Sequence, residues 1–160
     1  MMTDTNHFAN REISAGDAAI DGLVSGVLAG LVMAAILVLT GMISGVKPLD
    51  TLALFAPDAG SGPLVGLLAH LAVSGIYGAL FGMGYAALLR RRDYNPPAWL
   101  HVVIGGAYGL LLFLAAWLVL LPATGSQMQQ IPSLSLVIGH IVFGALLGWL
   151  VYRGTQRVEG

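Results

Sequence analysis

The chain has no cysteine, and only 9% of its 160 residues are charged. The first absence excludes disulfides, thiolate metal sites and covalent attachment of c-type haem. The second excludes an ordinary soluble domain, in which about 25% of residues carry charge. Formal net charge is −1 and no basic stripe exists, so nucleic acid is not an expected partner. Catalytic signatures are missing too. There is no Ser-His-Asp set, no pair of carboxylates and no H-E-x-x-H cluster, so the reading is a non-enzyme without a metal site. Glycine spacings resemble nucleotide loops, but they lie inside apolar runs with no strand before them.

What is present is apolar surface and glycine: 57% hydrophobic residues and 22 glycines. The expected fold is all-α, an integral membrane four-helix transmembrane bundle. Spans are predicted at about 18–44, 63–90, 98–121 and 132–153, each long enough at ~1.5 Å per residue to cross a ~30 Å hydrocarbon core. Residues 1–17 read as a polar tail without signal or lipidation motif, and 154–160 as a short second tail. Pro48 to Ala56 suits a short interfacial helix, and Pro122 is expected to stop the third span. Arg11, Arg90, Arg91, Arg92, Arg153 and Arg157 fall on one side, against Lys47 on the other. That asymmetry predicts cytoplasmic N- and C-termini. Tyr94, Trp99, Trp149 and Tyr152 then belong to the inner aromatic belt, and Trp117 to the outer one.

Four ionisable residues stand inside or at the edge of these runs: His70, His101, His140 and Asp21. Each is followed by small residues at intervals of four. Ser74, Gly78 and Gly82 follow His70, Gly105 and Gly109 follow His101, and Gly144 and Gly148 follow His140. Gly22, Gly26 and Gly30 form the same ridge in the first span. Positions i, i+4 and i+8 share a helix face, and small residues there let helices approach closely in lipid. One alignment matches the three histidines to each other. A second matches Ile76–Gly82 to Val142–Gly148, which suggests two helical hairpins descended from one. Counting residues back from Arg90 and from Arg153 sets His140 about 10 Å deeper than His70. His101 and Asp21 fall near the opposite surface, so no single cluster is expected.

Three stretches carry a resemblance: Pro48–Leu52, Leu68–Ser74 and Gly139–Gly148. They resemble an uncharacterised family of small bacterial four-helix inner-membrane proteins. The resemblance implies topology and location in the bacterial inner membrane, and no substrate. The density of small-residue ridges favours an accessory or structural subunit that packs into a larger membrane complex or a homo-oligomer. The alternative is a small transporter, channel or proton-coupled carrier using the intramembrane histidines, although no span has a central proline break or charge. A third reading is a quinone-binding or haem b redox protein, with His70 and His140 as axial ligands. The first reading expects no cofactor.

Overall fold

A computed structural model describes residues 14–58, 60–90 and 96–158. The expectations for residues 1–13, which include Arg11, and for Arg91, Arg92 and Tyr94 lie outside the described residues; Arg90 and Arg157 are described by backbone alone. The described elements are α1 (Ala15–Ile43), α2 (Pro48–Ala53), α3 (Pro63–Arg90), α4 (Ala98–Ala115), a π-helical turn (Ala116–Leu120), α5 (Leu121–Thr124), a 3-10 turn (Gln127–Gln130) and α6 (Ser133–Val158). The fold is all-α, with no strand among the described residues. Among the described residues four helices are long and apolar enough to cross a membrane: Ala15–Ile43, Pro63–Leu88, Ala98–Thr124 and Ser133–Gln156.

Local chemistry sets the boundaries. Ser14 caps α1: its Oγ accepts from Asp17 N–H at 3.0 Å, while the Asp17 carboxylate accepts from Ser14 N–H at 3.3 Å. This reciprocal capping box starts the helix three residues earlier than hydropathy alone indicates. Pro122 does not stop the third span. It has no N–H for the Leu118 carbonyl, and its ring would press on that oxygen. The helix widens into a π turn, Leu121 N–H reaches Ala116 O, and α5 continues to a left-handed Gly125.

Packing divides the bundle into two antiparallel hairpins. α1 packs most closely on α3, α4 on α6, and α1 joins the halves by meeting α6. Both hairpins are glycine seams. A Cβ on Gly26 would lie 2.8 Å from Gly78 Cα, and one on Gly144 would lie 2.8 Å from Gly109 Cα. Such contact leaves no room for any side chain and gives lipid-embedded helices the van der Waals contact that replaces the hydrophobic drive.

The two seams run in the same register. Gly22 faces the Gly78 carbonyl as Gly105 faces that of Gly144; Gly26 faces the Ser74 carbonyl as Gly109 faces that of His140; Gly82 faces the Ala18 carbonyl as Gly148 faces that of His101. The structural counterpart of His140 is therefore Ser74, and that of His101 is Ala18. This register agrees with the alignment of Ile76–Gly82 on Val142–Gly148 and separates His70 from His140 as equivalents.

Large side chains fill the centre, with Leu37, Leu136 and Leu147 fully buried. Outward faces carry Ile20, Leu31, Leu80, Leu111, Leu118 and Ile138 among many exposed apolar residues. A ring of that kind needs a lipid solvent, and helices satisfy their own backbone in one. The chain is a multi-pass integral membrane protein.

Candidate functional site

α3 and α4 do not pack backbone to backbone as α1 does on α3 and α4 on α6. They meet through aromatic side chains, with the Tyr108 hydroxyl donating to Tyr77 O at 2.9 Å and Phe81 lying 5.1 Å from the Tyr108 ring. The space between them widens into a cavity of about 390 Å³ toward the end that carries the 44–62 and 125–132 connections. α3 supplies His70, Val73, Ser74 and Tyr77; α6 supplies Leu136, His140 and Phe143; the π turn supplies Ala116, Trp117 and Leu120. π turns inside α-helices recur at functional sites. Phe55 and Ala56 close the cavity from the loop after α2.

That loop is held close by glycine on both sides. Gly41 of α1 leaves room for Thr51, whose Oγ1 would lie 2.6 Å from a Cβ there. Gly66 of α3 lets its helix touch the α2 backbone, so a Cβ there would lie 3.1 Å from Leu52 C and 3.1 Å from Ala56 N in the loop that follows. Phe55 is thereby carried to 4.9 Å from the His70 ring.

Both cavity histidines spend one ring nitrogen on backbone. His70 Nε2–H donates to Gly30 O at 3.1 Å across the α1–α3 seam. His140 Nδ1–H donates to Leu136 O at 2.8 Å, one turn back on its own helix. A carbonyl only accepts, so these contacts fix the tautomers: in the neutral imidazole, His70 keeps a lone pair on Nδ1 and His140 keeps one on Nε2. Neither nitrogen has a partner among the described residues, and no buried side-chain nitrogen or oxygen among them lacks one. The two free nitrogens are thus accessible on rings that border the cavity.

The rings are also closer in depth than residue counting indicates. α1 touches both helices: His70 reaches Gly30, and a Cβ on Gly139 would lie 3.3 Å from Met33 Cγ. That places the rings within about one turn, ~5 Å, of each other along the bundle. The count fails because Arg90 and Arg153 are not level. Gly154 lies beside Asp21, where Gly82 meets Gly22. α3 runs on past that level, carrying Arg90 about 12 Å beyond Gly82.

His101 and Asp21 lie at the far end. His101 is only 2% exposed and has no free nitrogen. Its Nδ1 accepts from the Tyr85 hydroxyl, its Nε2–H donates to Pro96 O at 3.1 Å, and its ring stacks on Tyr152 at 4.2 Å. It bolts α3, α4 and α6 together and has no access to interfacial water. Asp21 is exposed on α1. Among the described residues no three His, Asp or Glu side chains gather into a metal-binding group.

Residue order alone could not reveal the cavity, because it depends on the gap between α3 and α4. The available signal was Pro122 within an apolar run, together with Phe113 and Trp117 four residues apart on the same helix. No family model matches the chain, and no curated protein or solved structure matches it.

Proposed function

We propose that this membrane protein binds one small, mainly apolar molecule in the cavity between its hairpins, and that binding without catalysis is its activity. The observation that carries the reading is the cavity itself, bordered by two imidazoles that each keep one ring nitrogen unpaired. Its size falls within the range of about 300–1,000 Å³ usual for small-molecule sites, as does its pattern of apolar lining with few polar groups. The accessory-subunit reading loses its main support. The glycines that suggested outside partners are spent within the two seams; on the spanning helices, Gly84 and Gly106 are the described glycines at which a Cβ would meet nothing. A carrier for the same ligand is the natural extension of a binding role.

The test uses 1-methoxynaphthalene and protein purified in mild detergent, with equilibrium dialysis as the readout. Saturable uptake near one per chain is expected. Ala116→Trp, which fills the cavity from the π turn, should abolish that uptake without changing the melting temperature. Equal uptake by wild type and a folded Ala116→Trp protein would show that the dye enters micelles only, and the reading would fall.

The orientation belongs to the same proposal. Cytoplasmic termini put the cavity end outside, in a bacterial inner membrane. Reporter fusions should place Gly160 inside and Asp58 and Ser126 outside. Ser126 on the inner side would reverse the assignment.

A further inference from the structure

We propose that the cavity selects an aromatic molecule that donates two hydrogen bonds, an alkyl hydroquinone being the simplest of the class. This rests on the binding role above and adds the ligand's polarity. The argument begins with the two carbonyl contacts. Gly30 O and Leu136 O accept from His70 Nε2–H and His140 Nδ1–H, so each ring turns its only proton toward backbone. What each keeps unpaired is a lone pair, on a ring that borders the cavity.

Two acceptors on opposing helices, α3 and α6, match two donors on a ligand. A molecule carrying only carbonyl or ether oxygens would set lone pair against lone pair and leave both imidazoles unpaired, which in an apolar site is costly. The walls specify the body between the donors. Phe55 lies beside the His70 ring at 4.9 Å, and Phe113 meets the His140 ring edge-on at 5.8 Å, with the Trp117 ring 6.1 Å from Phe113. A flat ring fits such surroundings by offset or edge contacts. Ser74, level with His140 in the repeated seam register, also borders the cavity, with its hydroxyl set against Gly30.

The experiment compares decyl hydroquinone, decyl benzoquinone and the hydroquinone dimethyl ether by calorimetry against purified protein in mild detergent. Expected is binding of the hydroquinone at least tenfold tighter than either of the others. His140→Phe should cut hydroquinone affinity at least tenfold while the dimethyl ether binds no more weakly; His70→Phe should do the same. Equal affinity of all three ligands for wild type would overturn the donor assignment while the binding role stood. So would a quinone preference, or a Soret band on adding haem with no hydroquinone binding. Failure of these ligands and of methoxynaphthalene together would remove both. The ligand series decides the matter even if a histidine variant does not fold.

Discussion

Leucine at Gly78 is expected to break the first hairpin, lowering stability by about 3 kcal/mol or more. Overpacking usually costs about 1–3 kcal/mol, because neighbouring side chains can give way. Here nothing can. A Cβ at 78 would run into the Gly22 carbonyl and lie 2.6 Å from Gly26 Cα and 2.9 Å from Gly26 N. The obstacle is backbone, so α1 and α3 must separate along the whole seam. Gly144→Leu should act alike on the second hairpin, where the Gly105 carbonyl and Gly109 Cα stand in the way. Gly84→Leu and Gly106→Leu supply the control, since a Cβ there meets nothing within 4 Å. Thermal melting in mild detergent should separate the two pairs of variants. If Gly78→Leu melts with Gly84→Leu, the seam is not what holds the halves.

The second large effect is expected from His101→Ala, at about 2–4 kcal/mol. Interhelical polar contacts in membranes average only about 0.6 kcal/mol, which would argue for a mild change. His101 departs from that average because one ring serves three partners in a site closed to water. Alanine would strand the Tyr85 hydroxyl and Pro96 O and remove the stack against Tyr152. Tyr85→Phe removes one of those contacts and should cost less. The order wild type, Tyr85→Phe, His101→Ala in melting temperature is the expected result. A His101→Ala protein that melts with wild type would show that the ring only fills space.

The four spans and the small-residue ridges were legible because they are periodic, and lipid rewards periodicity directly. The capping box at Ser14 and Asp17 was also written in the chain, though hydropathy drew attention past it to Ala18. The cavity was not legible. It depends on α1 joining the hairpins through α6 while α3 and α4 stay apart, and both gaps and contacts of that kind arise from packing. The histidines look alike in sequence and differ only in their surroundings. His101 is saturated, whereas His70 and His140 each hold one nitrogen in reserve. Their levels were misjudged because arginines mark where a helix meets headgroups, and α3 extends well past the level of Arg153.

The shared register of the two seams bears on how the molecule can move. Each half contains two spans, so both halves enter the bilayer from the same face, and the axis relating them runs along the membrane normal. Exchanging the conformations of two such halves returns a molecule open to the side it already faced. Inverted repeats achieve alternating access by that exchange; these hairpins cannot. An exchange of halves therefore cannot carry a ligand across, and with the cavity lying between α3 and α4 the rate to measure is its exchange with lipid.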